Sequence, residues 1–292
     1  MRNNNDRFSV PESESDIAAQ VAAMHQAQIS QKQEDINNLG FVAPTEFVKI
    51  PSLGKFYPPE HPLYKQEFIE IRYMTAKDED ILTSKTLLKQ GIAIDRLLES
   101  IIIDKRIKSK DLLSGDKNAL LIATRNSGYG PQYTTKITCP SCRTVNEHSF
   151  DLSEVEFKET PNYDEIGARP TDEGTFLVSL PRTKAEVEVK LLTGKDEAEM
   201  FAAMERKEKR GLPLSPLTSQ LSGIIVSVNN VSDRVFIHQF IENMPSFDSR
   251  SLREVYSKIV PNVDLRQNFE CSRCSHEEEV DIPITADFFW VK

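Results

Sequence analysis

All four cysteines of this chain fall into two C-x-x-C turns, one holding Cys139 and Cys142 and the other Cys271 and Cys274. A C-x-x-C turn directs two thiolates toward one point, so two such turns can supply the four sulfur ligands of a tetrahedral zinc site. The matched spacing, with no cysteine left over, favours this interpretation over four free thiols or two disulfides. The sequence therefore predicts a structural site in which these four cysteines bind zinc.

The sequence on both sides of each cysteine turn is typical of β-strands. Residues 133–138 and 145–152 flank the first turn, and residues 265–270 and 277–282 flank the second. Each turn is therefore expected at the tip of a hairpin, which is the zinc-knuckle arrangement of a zinc ribbon. Because sulfur can fill all four positions, the ion has no open position for water, which argues for a structural and against a catalytic role.

Composition limits the class of protein and the kinds of partner. The chain has 292 residues, of which 39% are hydrophobic, enough for a core in one large or two moderate domains. Its formal net charge is −9, whereas a general binder of nucleic-acid backbones would carry a basic stripe. No apolar run is long enough to span a membrane, and residues 1–9 lack the apolar core of a signal peptide. We therefore expect a soluble protein in a reducing cytoplasm, where paired cysteines more often hold metals than form disulfides.

Two stretches of the chain resemble each other closely enough to indicate an internal duplication. Residues 69–79 align without gaps with residues 187–197, and each combines an alternating strand pattern with a capping Thr and an Asp three residues later. Extra residues between positions 197 and 246 make the second copy longer. The match resumes beyond these extra residues. Ser114 then corresponds to Ser246, Asp116 to Asp248, Leu120 to Leu252, and the first cysteine pair to the second.

These patterns predict an α+β fold made of two copies of one unit, each with a hairpin, helices and a cysteine hairpin. Each copy would contribute two ligands, so one shared zinc ion would join the copies across an internal pseudo-twofold axis. Closing so long a loop costs little more than closing a short one, because the cost grows with the logarithm of its length. The predicted organisation is a flexible N-terminal arm over 1–45 with a possible helix at 16–38, a first repeat over 46–157, a linker over 158–174 and a second repeat over 175–292.

Local patterns in the first copy predict individual elements. Residues 68–72 alternate apolar and polar, which indicates a strand with one buried face. Thr75 and Asp78 form a capping box at a helix start. The apolar residues between 94 and 102 recur at helical spacing and predict a buried helix face, and a further helix is expected from Asp116 to about Arg125.

Motifs that would indicate catalysis are weak. Residues 193–196 resemble part of a phosphate-binding loop, but the upstream glycine is missing and an Asp replaces the magnesium-binding Ser or Thr. The acidic residues at 78–80 are better explained as the first turn of a helix, where they face the positive end of the helix dipole. We therefore predict no catalytic and no nucleic-acid-binding residues. His148 and His276 lie near the cysteine turns as alternative ligands, and the basic run at 105–110 is interpreted as an exposed helix end.

Three longer motifs carry a resemblance to a known family. They are IPSLGKFYP at 50–58, MTAKDEDIL at 74–82 and LLSGDKN at 112–118. Together they are similar to the baseplate hub family of T-even-type contractile-tailed bacteriophages, most clearly over residues 46–157. The resemblance implies a non-enzymatic structural subunit of the virion tail baseplate that takes part in tail assembly. It also implies a homo- or hetero-oligomer with other hub or tail proteins, and residence in the host cytoplasm during assembly.

Two alternative functions stay open at this point. A hub assembly factor would act during assembly and be absent from the mature virion. A zinc-ribbon nucleic-acid-binding protein would act in phage transcription or replication and would be retained on DNA in a salt-sensitive manner. Substitution of Lys105, Arg106 and Lys108 would weaken that retention.

Overall fold

The structure is a computed structural model that describes residues 43–211, 213, 215–283 and 286–289. The predicted N-terminal arm, including its possible helix at 16–38, lies almost entirely outside these residues. The chain divides into two units, residues 1–44 and residues 45–292. The second unit combines helices with antiparallel strands, which confirms the predicted α+β class.

The first half of this unit begins and ends with a hairpin and carries helices between the two. Its strands are β1 (Thr45–Lys49), β2 (Phe68–Arg72), β3 (Gln132–Thr138), β4 (Val145–Asp151) and the short β5 (Glu156–Phe157). Its helices are α1 (Ala76–Thr83), α2 (Lys85–Lys89), α3 (Ala93–Ile101) and α4 (Ser114–Tyr129), with 3-10 turns at Ser109–Asp111 and Leu152–Glu154.

The second half has a similar order of elements around a larger sheet. Its strands are β6 (Ala168–Pro170), β7 (Thr175–Ser179), β8 (Glu186–Lys190), β9 (Ile225–Val228), β10 (Val263–Asp264), β11 (Arg266–Glu270) and β12 (Glu277–Asp281). Its helices are α5 (Tyr163–Ile166), α6 (Gly194–Lys209), α7 (Pro216–Ile224), α8 (Arg234–Asn243) and α9 (Ser246–Ile259), with a 3-10 turn at Ala286–Phe289. Strands β6, β7, β8 and β9 form an antiparallel sheet in that order. Residues 158–174, predicted to be a linker, thus contain helix α5 and the edge strand β6.

The first hairpin of each half has the same pairing register. Thr45 lies opposite Arg72 in the β1–β2 hairpin, and Thr175 lies opposite Lys190 in the β7–β8 hairpin. In both hairpins, alternate residues of the second strand are buried, as the alternating pattern predicts. The same strand pattern therefore buries the same face in both halves.

The helix after each of these hairpins begins at the predicted capping box. Asp78 accepts hydrogen bonds from the backbone N (2.9 Å) and Oγ1 (2.8 Å) of Thr75. Asp196 accepts the equivalent bonds from the N (3.0 Å) and Oγ1 (2.8 Å) of Thr193. Each aspartate also pairs with the basic residue that ends the preceding strand. Helix α6 has 16 residues where α1 has 8, so part of the extra length of the second half lies in this helix.

The predicted apolar stripe of the first half lies on α3, whose Leu97, Leu98 and Ile101 are buried. Helix α4 is longer than predicted at both ends, and Gly130, which follows its last residue as the C-cap, has φ +84°. Within the described ranges, no helix has the length and apolar character needed to cross a membrane.

A buried carboxylate connects the loop at 50–58 to the start of α4. Asp116 accepts hydrogen bonds from Ser52 N (2.9 Å), Ser52 Oγ (2.6 Å) and Tyr57 Oη (2.7 Å), and Tyr57 Oη accepts one from Leu113 N (3.0 Å). Burial raises the pKa of Asp116, although the hydrogen bonds from Ser52 and Tyr57 act in the opposite direction. Two of the three motifs that carry the family resemblance therefore meet at this residue.

The second half contains a similar contact. Asp248, in the first turn of α9, accepts hydrogen bonds from Arg182 N, Thr183 N and Thr183 Oγ1, each at 2.8 Å. Its side chain is buried. In both halves, an aspartate in the first turn of a helix thus holds the turn that follows the first strand of the matching hairpin, β1 in the first half and β7 in the second.

The two halves share one hydrophobic core, and their backbones meet at several points. Strand β5 of the first half pairs with β10 of the second, and Gly194 N donates to Leu112 O (2.9 Å). Gly115 lies directly against the second half, since a Cβ atom there would be 1.9 Å from the carbonyl oxygen of Pro261. A side chain at position 115 is excluded by this close approach.

The last described turn of the chain returns to the first half. Arg125 Nε donates to Phe288 O (2.9 Å), while its two other nitrogens donate to Gly130 O (2.8 Å) and Gln132 O (3.1 Å). The Phe288 ring is buried and packs edge-on against Tyr133, with 5.1 Å between ring centroids. The guanidinium of Arg125 therefore fixes the end of α4 to the start of β3 and to the C-terminal turn.

Candidate metal centre

The first cysteine turn joins β3 to β4 and has a well-defined hydrogen-bond pattern. Cys139 N donates to Thr144 O, and Arg143 N donates to Cys139 O, both at 2.9 Å. Arg143 has φ +56°, the left-handed conformation that a tight turn requires here. The turn brings Cys139 and Cys142 to the same side of the hairpin tip.

The second turn joins β11 to β12 and has the same pattern. Cys271 N donates to His276 O, and Ser275 N donates to Cys271 O, again at 2.9 Å. Ser275 has φ +52°. The positions of Cys271 and Cys274 in this turn correspond to those of the two cysteines in the first.

The two turns face each other and bring the four sulfur atoms together. All four Sγ atoms lie within 4.8 Å of one another, with 3.8 Å between Cys139 and Cys274 and 3.6 Å between Cys142 and Cys271. A tetrahedron of thiolates with zinc–sulfur bonds of about 2.3 Å has sulfur–sulfur edges of about 3.8 Å, so the donor set fits a tetrahedral ion. A disulfide needs about 2.05 Å, and all four thiols are free. Residues Cys139, Cys142, Cys271 and Cys274 could therefore hold a metal ion.

Burial differs across the cluster. Cys139 and Cys271 are buried against Phe269, whereas Cys142 is half-buried and Cys274 is exposed. The inner side of the cluster is thus shielded by an aromatic ring, and the outer side faces solvent.

A side chain that the sequence did not single out connects the two turns. Asn146, on β4, is buried, and its Nδ2 donates to Thr144 O (2.9 Å) and lies 3.5 Å from Cys271 Sγ. Its Oδ1 accepts hydrogen bonds from Ser272 N (3.0 Å) and Ser272 Oγ (2.6 Å). Residues outside the ligand set often orient the ligands of a metal site, and Asn146 has the contacts for that role. A polar residue at a buried strand position close to C-x-x-C is the signal that could have identified it.

Thr144 contacts Cys142, the more exposed of the two cysteines in the first turn. Its Oγ1 lies 3.3 Å from Cys142 Sγ, and hydrogen bonds that the sulfur accepts from the side chain and backbone N–H of Thr144 lower the pKa of the Cys142 thiol to about 6. A lowered pKa favours the thiolate, which is the form that binds metal. Arg273 Nη1 of the second turn donates to the same Thr144 oxygen (3.2 Å).

Neither histidine near the turns belongs to the cluster. The His148 ring packs against Phe150 and Phe269, with centroid distances of 4.6 and 5.4 Å. His276 Nε2 lies 3.2 Å from a carboxylate oxygen of Glu278. The possibility that a histidine replaces a cysteine ligand therefore has no support in this geometry.

The two hairpins are also fastened to each other away from the sulfurs. Gln267 Nε2 donates to Asp151 O (2.6 Å), and Asp151 N donates to Gln267 Oε1 (3.2 Å). Together with the adjacent β5–β10 pairing, these bonds hold the hairpins side by side without requiring an ion.

The other sequence candidates have structural roles. In the basic run at 105–110, Lys105 Nζ bonds to the carbonyl oxygens of Glu99, Ser100 and Ile102 at the end of α3, which is a favourable position for a cation. In the stretch that resembles a phosphate loop, Asp196 caps α6 and Gly194 N is bonded to Leu112 O. Residues 193–196 therefore form the capped start of α6.

Comparison with known proteins identifies the family to which the chain belongs. A family model described as T4 bacteriophage base plate protein matches residues 44–290, which includes both halves, both cysteine turns and nearly all of the described residues. No curated protein and no solved structure matches the chain. The match extends the sequence resemblance beyond residues 46–157, and it shows that the chain belongs to the family of T4 bacteriophage base plate proteins.

Proposed function

We propose that this protein is a structural subunit of the hub of a contractile phage tail baseplate and takes part in tail assembly. The observation that carries this proposal is the family match over residues 44–290. Membership of a baseplate family favours a non-enzymatic role, a location in the virion tail and contacts with other phage tail proteins. The partners would be other hub or tail proteins in a homo- or hetero-oligomer, joined after synthesis in the host cytoplasm.

We further propose that Cys139, Cys142, Cys271 and Cys274 bind one structural zinc ion. The sulfur–sulfur distances and the free state of all four thiols support this assignment. A structural zinc contributes roughly 10–16 kcal/mol in zinc-finger peptides at neutral pH. An ion held by both turns would strengthen the contact between the two halves at the tips of the cysteine hairpins.

The two halves, residues 46–157 and 175–292, are proposed to be copies of one ancestral unit, connected through residues 158–174. Three pairs of matching contacts support this: the register of the hairpins β1–β2 and β7–β8, the two capping boxes, and the hydrogen-bond pattern of the two cysteine turns. In this interpretation the two knuckles form a zinc-ribbon-like site on the pseudo-twofold axis.

Quantitative mass spectrometry of purified tails and of purified assembly intermediates tests the hub proposal. A structural subunit is expected in finished tails at a fixed ratio to other baseplate proteins. A hub assembly factor would be present in intermediates and absent from finished tails, and that result would overturn the structural role. Metal analysis of protein purified under reducing conditions tests the zinc proposal, with about one zinc per chain expected and none contradicting it.

A further inference from the structure

Strand β1 has an outer edge whose backbone groups have no strand partner in the described chain. Its only pairing there is with β2. Ile50 N donates to Glu67 O, and Ile103 N donates to Glu70 O. Since hydrogen-bonding directions alternate along an antiparallel strand, the N–H and C=O groups of Phe47 point away from β2.

The corresponding edge in the second half is covered. Strand β7, which has the register of β1, pairs on its outer side with β6, where Ala168 lies opposite Val178. Both of these residues are buried. The second half therefore shows that this edge can accept a further strand without a change in the hairpin.

Two aromatic side chains are exposed beside the uncovered edge. Phe47 is 69% exposed and Phe68 is 49% exposed. Phe47 lies opposite Glu70, and Phe68 lies opposite Lys49, so the two rings are diagonal neighbours on one face of the hairpin. Exposed aromatic pairs of this kind are typical of protein interfaces.

The opposite face of β1 contains an unsatisfied acceptor. Glu46 Oε1 is buried, and it has no hydrogen-bond partner among the described residues. A buried acceptor without a donor destabilises the fold, and such groups are rare in folded proteins. A basic side chain on a strand added beside β1 would be within reach of this oxygen, since cross-strand neighbours have Cβ atoms about 5 Å apart.

We propose that the outer edge of β1 binds an extended strand of another tail protein, with a basic side chain beside Glu46 and an apolar side chain beside Phe47 and Phe68. Binding by strand addition uses the backbone groups for affinity and the alternate side chains for specificity. This inference rests on the proposed function, because it places the partner in the tail.

A photo-cross-linking experiment in assembled tails tests the surface. The residue p-benzoylphenylalanine replaces Phe47 in one phage and Phe201 in a second phage; Phe201 lies on α6, is 72% exposed and serves as the control position. Irradiation of purified tails is expected to join position 47, and not position 201, to a peptide of another tail protein that contains Lys or Arg. Absence of an adduct at position 47, or an adduct only with a second copy of this chain, would overturn the proposal.

Substitutions separate the contributions of side chains and backbone. Phe47→Ser with Phe68→Ser should reduce incorporation into tails at least tenfold, and Phe47→Pro should do the same because it removes an N–H that points away from β2. The thermal unfolding midpoint of the free protein should stay close to that of the wild type, and Phe201→Ser should incorporate normally. Normal incorporation of both edge variants would overturn the binding surface alone. Absence of the wild-type protein from finished tails would instead overturn the proposed function, and this inference with it.

Discussion

Asn146 Nδ2 of the first cysteine hairpin lies 3.5 Å from the Sγ atom of Cys271 in the second hairpin. The same side chain accepts two hydrogen bonds from Ser272. One amide group thus positions a turn that belongs to the other half of the protein, and the residue that carries it lies outside both C-x-x-C motifs.

Replacement of Asn146 should therefore weaken metal binding without removing a ligand. Asn146→Ala is expected to lower zinc affinity about 10–100-fold, the usual effect of losing a residue that orients ligands. Asn146→Asp keeps the acceptor for Ser272 but loses the N–H near the sulfur, so it should have a smaller effect than the Ala variant. Competition with a chromophoric chelator measures both affinities, and wild-type affinity of Asn146→Ala would contradict the assigned role.

The four cysteines should act as one thermodynamic unit. Cys142→Ser and Cys274→Ser are each expected to lower the free energy of unfolding by several kcal/mol, because either one breaks the same site. The double variant should lose far less than the sum of the two, since residues that share one site are not additive. Urea unfolding with and without chelator measures these differences; the cost of each substitution should nearly vanish in chelator. Losses that simply add would count against a shared ion.

The clustering of the four cysteines could be predicted from sequence because its signal is local: two C-x-x-C turns, each with strand patterns on both sides, are typical of paired hairpins that share one site. The capping boxes at Thr75 and Thr193 were predictable for the same reason, since each depends on residues three positions apart.

Contacts between distant segments could not be predicted in this way. The sequence identified Asp116 as a match in the repeat and as the start of a helix. Its hydrogen bonds to Ser52 and Tyr57, which join parts of the chain more than fifty residues apart, were not predicted. Strand β6 lies in a stretch whose acidic residues and prolines indicate a linker, and Pro170 is compatible with a strand only because β6 is at the edge of its sheet.

The close approach of Gly115 to Pro261 should make this glycine intolerant of any side chain. Gly115→Ala would place Cβ within 1.9 Å of a backbone oxygen, and the resulting shift of the backbone is expected to cost about 3 kcal/mol in the free energy of unfolding. Gly211→Ala is the control: its φ of +65° makes Ala unfavourable, but the position is open, so a loss of about 1 kcal/mol is expected. Thermal or urea unfolding compares the two. Equal losses would show that the contact between the halves yields at little cost.

Asp78 provides a prediction that depends on pH. Burial raises the pKa of Asp78, but hydrogen bonds from Arg72, Thr75 and Ser100 outweigh this effect and hold the pKa well below its usual range. A carboxyl group whose pKa is lower in the folded state stabilises the fold above its unfolded pKa of about 3.9. That stabilisation is lost as the pH falls through the folded pKa.

Asp78→Asn should therefore lower the free energy of unfolding by about 3 kcal/mol at neutral pH, because Arg72 loses its buried ionic partner. The difference from the wild type should shrink steadily as the pH falls from about 4 toward the lower pKa of the folded state, because the Asp78 carboxyl of the unfolded chain takes up a proton first. Asp196→Asn is the matched control from the second half; Asp196 and Lys190 are 20% and 33% exposed, so a loss of only about 1 kcal/mol is expected. Urea unfolding across the acid range measures the stability of both variants and of the wild type. If the difference between Asp78→Asn and the wild type does not change with pH, the ionised carboxylate is not what stabilises this helix start.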